Sequence, residues 1–284
     1  MAGFESPTRK HRSQNARKAL VLWLFNHNDR VGEPHRRDLF FLRCGRLPSP
    51  MSQSAVVLLS GGMDSATALA MTQADGFQVV ALTVDYGQRH RKEIQAARQL
   101  TKHFRVADHR IVTMDLTGIG GSALTDRRIP VPRGRLLEEI GNEIPSTYVP
   151  ARNTVLLAYA LSLAEATEAN AIVIAANAID YSGYIDCRPE FYDAFQEVAR
   201  LGTKRGVEGN VIRIRTPLIR MTKADIVRKG EALRVPWELT WSCYLGGSKA
   251  CGACDSCQLR LKGFREAGVV DPIPYAKRPR QTNA

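Results

Sequence analysis

The chain has 284 residues, 44% of them apolar and 24% charged. That fits an ordinary globular body with room for one large domain or two small ones, and no run approaches the roughly eighteen apolar residues of a membrane span. The formal charge is +12, but residues 1–50 hold ten Lys and Arg against four Asp and Glu, and KRPR at 277–280 adds three more positive charges. The body between is only mildly basic, so direct nucleic-acid binding is not expected of it.

Residues 1–50 are rich in Arg, His, Asn and Pro. KALVLWLF (18–25) is brief, lacks a small-residue cleavage site and is flanked by charge, unlike a signal peptide. The simplest expectation is a start at Met51, with residues 1–50 a disordered or misassigned extension; the intact mass of the native protein tests it.

From Ser54 onward strands and helices alternate. AVVLL (55–59) reads as a buried strand and SATALAMTQA (65–74) as a helix. FQVVALTV (77–84) is a second strand, RHRKEIQAARQLTKHF (89–104) an amphipathic helix and DHRIVTM (108–114) a third strand. Residues 115–147 are rich in Gly, Pro and charge and read as a long loop. The pattern then predicts a buried helix over 151–169, strands over 171–176 and 211–218, and a helix over 222–233 with Thr222 as N-cap. Continuous apolar strands alternating with helices predict a parallel sheet covered on both faces, which binds ligands at the carboxyl ends of its strands. The expected division is an α/β domain over 51–240, a cysteine segment with a C-terminal helix over 241–270, and a basic tail over 271–284.

SGGMDS (60–65) falls at the end of the first strand and the start of the first helix. Glycines there let the backbone approach an anion, and helix-terminal amides and dipole favour negative charge. Ser60 and Ser65 add hydroxyls, and the Asp64 carboxylate suits a magnesium ion shared with phosphates. The string has no GK[ST], so it is not a Walker A loop, and it is not GxGxxG. A bare strand-to-helix turn needs only a Gly pair and a Ser cap, and the full string exceeds that need.

Four of the six cysteines, Cys243, Cys251, Cys254 and Cys257, follow C-x7-C-x2-C-x2-C. That is metal spacing rather than a disulfide framework, and it points to a reducing compartment, the cytoplasm. Four thiolates suit tetrahedral zinc; an iron–sulfur cluster is the rival.

SGGMDS resembles the PP-loop of the ATP pyrophosphatase superfamily, whose members cleave ATP between the α and β phosphates and transfer AMP to a substrate oxygen. VDYGQRHRKEI (84–94), STYVPARNTVLLAYA (146–160), NAIDYSGYIDCRPEF (177–191), TPLIRMTKADIV (216–227) and CYLGGSKACGACDSC (243–257) narrow the likeness. Together they resemble the QueC family of queuosine biosynthesis, from about Ser54 to about Gly268. The resemblance implies a parallel-sheet, HUP-like PP-loop fold with a small C-terminal zinc-binding segment. It implies ligation of 7-carboxy-7-deazaguanine with free ammonia, through an adenylated carboxylate and an amide, to a nitrile, in a homodimer without membrane association. It favours structural zinc, one per chain, on Cys243, Cys251, Cys254 and Cys257, and Mg2+ with ATP.

On that reading the ATP site is Leu59, Ser60, Gly61, Gly62, Met63, Asp64, Ser65, Ala66, Thr67, Ala68 and Leu69, with the base near Val84 and Asp85. Asp64, Arg89 and Arg152 are the candidate catalytic residues, either arginine neutralising phosphate or the substrate carboxylate. Asp180, Asp186 and Glu190 are candidate acceptors for the deazaguanine N–H groups. Tyr181 and Tyr184 are candidate stacking partners, and Arg188 completes the candidate substrate set or pairs with Glu190. Asp186 has a plain alternative as a loop or N-cap carboxylate, His90 as a polar loop residue and Cys187 as a packed side chain. Two other functions stay open: a PP-loop enzyme acting directly on tRNA, and a non-enzymatic zinc-ribbon protein with a relic loop.

Overall fold

The computed structural model describes residues 53–179 and 183–276. The 1–50 extension, Asp180, Tyr181 and the KRPR segment lie outside the described residues.

Five parallel strands, β1 (Ser54–Leu58), β2 (Gln78–Asp85), β3 (Asp108–Thr113), β4 (Ala171–Val173) and β5 (Arg213–Arg215), form one sheet in the order β3-β2-β1-β4-β5. Strand β1 sits at the centre, where both faces must be apolar. Ala55, Val57 and Leu59 pack on one face with α1 (Met63–Ala74), α2 (Lys92–His103), α6 (Lys223–Ala232) and α7 (Asp255–Glu266), through Leu69, Leu100, Ile226 and Phe264. Val56 and Leu58 pack on the other with α3 (Arg152–Ala166) and α4 (Pro189–Leu201), through Leu157, Leu161, Tyr192 and Phe195. A short helix, α5 (Lys204–Val207), follows α4.

The last two strands are shorter than their apolar runs predict. Strand β5 lies at the sheet edge and pairs only with the three residues of β4, so just Arg213–Arg215 joins the ladder. Helix α3 stops at Ala166, where Thr167 caps it and Glu168 turns left-handed at φ 55°. Helix α4 has no counterpart among the elements expected from sequence, although Tyr192, Phe195 and Ala199 recur at helical spacing and are buried. Thr222 caps α6 as expected: its hydroxyl accepts the Asp225 N–H at 3.1 Å, and Asp225 Oδ2 accepts the Thr222 N–H at 3.1 Å.

Residues 115–147 contain no helix or strand beyond an isolated bridge between Arg133 and Cys254. They are tied down instead. Arg89 donates to the carbonyls of Ala123, Asp126 and Ile129. Arg135 holds the buried Asp255 carboxylate at the start of α7, at 2.7 Å. Helix α7 is fixed in turn by Arg260, 1% exposed, which grips Asp271 through two hydrogen bonds of 2.7 and 2.9 Å and donates to Thr240 Oγ1 at 2.7 Å.

The turn after β1 is as tight as its glycines allow. Gly61 has φ 90°, and a Cβ there would lie 2.2 Å from the Glu93 carbonyl oxygen of α2. Gly62 has an ordinary φ of −78°, and the nearest atom to a Cβ would be 3.4 Å away. Gly61→Ala is therefore expected to destabilise the protein by more than the ~1–2 kcal/mol of left-handed strain alone, while Gly62→Ala stays within about 1 kcal/mol. Urea titration of both variants checks the contrast. Asp271→Ala leaves Arg260 buried without its counter-charge and is expected to cost about 3–5 kcal/mol in the same assay.

Candidate active site and metal centre

In this strand order the chain leaves β1 toward β2 on one side and returns to β4 on the other, so a crevice opens where their carboxyl ends diverge. A cavity of about 270 Å³ occupies it, reaching from the β1–α1 turn to Tyr184 and Cys187. Leu59, Ser60, Gly62, Met63, Asp64 and Ser65 line it, whereas Gly61 presses on α2. Ala66, Ala68 and Leu69 turn into the core, and the Thr67 hydroxyl donates to the Met63 carbonyl at 3.0 Å. Val84 lines the cavity at the end of β2, and Asp85 does not.

No side chain caps α1: Gly62 is its N-cap, and the first helical bond of the turn runs from Ala66 N to Gly62 O at 3.0 Å. The preceding amides are the unpaired donors of an anion site. Ser65 Oγ donates to Gly62 O at 3.0 Å and lies 3.1 Å from Ser60 Oγ, which accepts the Gly62 N–H at 3.3 Å. The two serines thus brace the turn.

Asp64 receives the ammonium of Lys223 on Oδ2, while its Oδ1 is enclosed and has no hydrogen-bond partner. An orphaned carboxylate oxygen beside an anion cradle fits a divalent cation. Lys223 is 3% exposed and reaches the cavity because Gly263 of α7 lets the two helices touch: a Cβ on Gly263 would lie 2.6 Å from Lys223 Cβ. Sequence reasoning missed this lysine. The signal was a cation in the first turn of a helix, where the dipole disfavours it.

Arg152 lines the cavity at the start of α3. Its guanidinium lies 5.7 Å from the Tyr86 ring centroid and 3.5 Å from the Tyr86 hydroxyl, and its Nε is buried without a partner. Burial opposes the charge, but the Tyr86 and Asp186 oxygens outweigh it and hold the arginine above its ordinary pKa. Arg89 also lines the cavity, with its guanidinium committed to the 122–129 loop.

The expected substrate residues divide. Tyr184 lines the cavity, its hydroxyl 2.7 Å from Thr147 Oγ1. Asp186 is buried outside the lining, and its Oδ2 accepts the Asn153 N–H at 3.2 Å, which caps α3. The N-cap residues of α3 and α4 are Ala151 and Arg188, so Asp186 serves α3 from a distant turn rather than as a local N-cap. Arg188 and Glu190 are exposed before and in the first turn of α4 and are not part of the cavity lining, and no ion pair joins them among the described residues. Glu93, Asn153 and Arg260 line the cavity without having been singled out in sequence.

Beyond Trp241 the four cysteines converge. The Sγ atoms of Cys243, Cys251, Cys254 and Cys257 all lie within 4.8 Å of one another, and Cys251 and Cys257 are 3.8 Å apart. Tetrahedral zinc–thiolate bonds of about 2.3 Å require sulfur separations of about 3.8 Å. Backbone N–H groups of Ala253 and Cys254 point at Cys251 Sγ, at 3.4 and 3.2 Å, and that of Cys251 at Cys243 Sγ, at 3.3 Å. Hydrogen bonds from Cys254 and Cys257 depress the Cys243 pKa, and donating them raises Cys254 to about 12. Charging all four sulfurs together therefore needs a cation, and the donor set could hold a metal ion.

The QueC family model, described as queuosine biosynthesis protein QueC, matches residues 54–268. A protein named 7-cyano-7-deazaguanine synthase from Thermosynechococcus vestitus is 55% identical over 228 residues, covering 80% of this chain and 98% of that one. Proteins of the same name from Anaeromyxobacter sp. strain Fw109-5 and Nostoc punctiforme are 56% and 54% identical, covering 80% and 78% of this chain and 98% and 99% of theirs. With the match running from β1 through the cysteine cluster and α7, the chain belongs to the QueC family of queuosine biosynthesis proteins.

Proposed function

We propose that the chain is an ATP-dependent carbon–nitrogen ligase that converts 7-carboxy-7-deazaguanine and free ammonia to 7-cyano-7-deazaguanine, in a reducing, cytoplasmic setting and as a homodimer. The observation that carries the reading is one cavity holding the uncapped start of α1, the Asp64–Lys223 pair and the partnerless Arg152 Nε. The α1 amides and Lys223 are suited to the phosphates of ATP, and Asp64 Oδ1 to Mg2+. Such a cation supplies charge neutralisation at the phosphates when bound. Arg152 orients the substrate carboxylate so that one oxygen meets the α-phosphorus, and its fixed charge costs no reorganisation as the bond forms. Loss of pyrophosphate leaves an acyl adenylate, which ammonia converts to the amide. The amide oxygen is activated by a second ATP and lost as AMP, leaving the nitrile.

Direct action on tRNA is not favoured by relatives named for a small-molecule synthase. Purified protein with ATP, ammonia and 7-carboxy-7-deazaguanine is expected to give AMP, pyrophosphate and the nitrile, resolved by mass spectrometry. AMP formation only with undermodified tRNA would move the substrate to RNA. Asp64→Asn keeps the shape but removes the charge facing the cation and is expected to lower kcat by about 100-fold or more.

The cysteine centre is read as one structural zinc, since four protein thiolates fill the tetrahedron. Chelation, or Cys254→Ser, is expected to lower the melting midpoint by about 10 °C or more. An unchanged midpoint after metal loss verified by elemental analysis would count against it.

A further inference from the structure

One cavity-lining group has no task in the scheme above. Glu93 lies in the first turn of α2, in the sequence RHRKEI, and its carboxylate takes part in no hydrogen bond or ion pair among the described residues. A glutamate in a first helical turn is ordinary helix chemistry. A glutamate there that is half-buried and lines the cavity of the phosphate turn is less usual. Its peptide carbonyl abuts Gly61 of the phosphate turn. Arg152 of α3, Tyr86 beyond β2 and Cys243 of the cysteine segment are the charged and titratable groups that act on it. Glu93 thus shares the cavity with the phosphate cradle and with the arginine assigned to the substrate carboxylate, whose charge acts on it.

The reaction proposed above has an unmet need at that place. Ammonia attacking an acyl adenylate must shed a proton, and a positioned carboxylate collects it more effectively than bulk water. We propose that Glu93 is the base that binds the ammonia nitrogen and accepts its proton during amide formation. As the nitrogen lone pair forms the C–N bond, the Glu93 carboxylate takes one N–H proton. The C–O bond to the AMP oxygen breaks, its electron pair leaves with AMP, and a neutral amide remains.

The other candidates in the cavity are less suited. Asp64 is held by Lys223. Burial raises Tyr86 and Tyr184, and lifts Cys187 to about 11, so these groups stay protonated at neutral pH. The free ring nitrogen of His90, Nδ1, is fully enclosed, and the side chain is wedged against Gly246, where an added Cβ would lie 2.2 Å from His90 Cβ. Glu93 opens on the cavity, and burial raises its pKa to about 7, with Arg152 opposing the rise and Cys243 adding to it. A base near the working pH is the effective one.

This proposal rests on the ligase reading, and the test separates the two. Adenylation without amination is read as ATP–pyrophosphate exchange dependent on 7-carboxy-7-deazaguanine, with ammonia omitted. Glu93→Gln is expected to keep exchange within about two-fold of wild type and to lose about 100-fold or more in kcat/KM for ammonia, with Glu93→Asp recovering part of the loss. His90→Gln should keep amination within a few-fold. Unchanged ammonia kinetics in Glu93→Gln, a parallel loss of exchange and amination, or a selective loss of amination in His90→Gln instead would each overturn the proposal. If the Gln variant does not fold, the same partition is read on Glu93→Asp, where equal effects on both half-reactions overturn it. Wild-type protein without exchange on this substrate would sink the ligase reading and the proposal with it.

Discussion

A lysine withdrawn from water needs a counter-charge, and the arrangement of the whole molecule follows from where Lys223 finds one. Its partner, Asp64, stands at the opening of α1, and Lys223 at the opening of α6, so the contact joins the beginning of the body to its last third. Removing two charges from solvent is costly unless the remaining lone pairs are also satisfied. Here one oxygen of Asp64 is left over. The pair is thus incomplete as a structural element, and it lines the cavity rather than the core. Gly263 is the remote condition for this: with any side chain there, α7 could not lie against Lys223.

The second organising constraint is the segment without regular structure. Residues 115–147 anchor Leu116, Ala123, Leu124 and Val131 in the apolar clusters, and polar contacts hold the rest. Arg89 collects three carbonyls, Arg135 reaches Asp255, and the Gly134 N–H meets the Ala253 carbonyl at 2.8 Å inside the cysteine turn. One wall of the cavity is therefore only as firm as the cysteine cluster. A metal held there would act on the site without touching it, by fixing the turns on which the loop and Trp241 rest.

Much of this was legible in the chain. The apolar run at 55–59 announced a strand buried on both faces, SGGMDS an anion turn, and the cysteine spacing a metal centre, because each depends on neighbours close in sequence. What was not legible depends on distance. The helix over 189–201 was obscured by the charged residues before it, which drew a functional reading to Arg188 and Glu190. The bond from the start of α3 to Asp186, more than thirty residues later, has no local signal in the sequence. Lys223 and Glu93 were not singled out, being charges within helical segments. Only the packing of the folded chain brings them to the cavity beside the phosphate turn.

The placement of β1 at the middle of the sheet has a consequence for how the protein is made. Ala55 pairs with Ala171, so the central strand waits for more than one hundred further residues before its second edge is covered. Pairings this remote slow folding, because the intervening chain must be ordered before the contact repays it. The crevice lies between β1 and β4, so no chain synthesised short of β4 possesses it. During that interval the exposed edge of β1, an uninterrupted row of apolar residues, is the surface most exposed to mispairing, and it is where a chaperone would have its work.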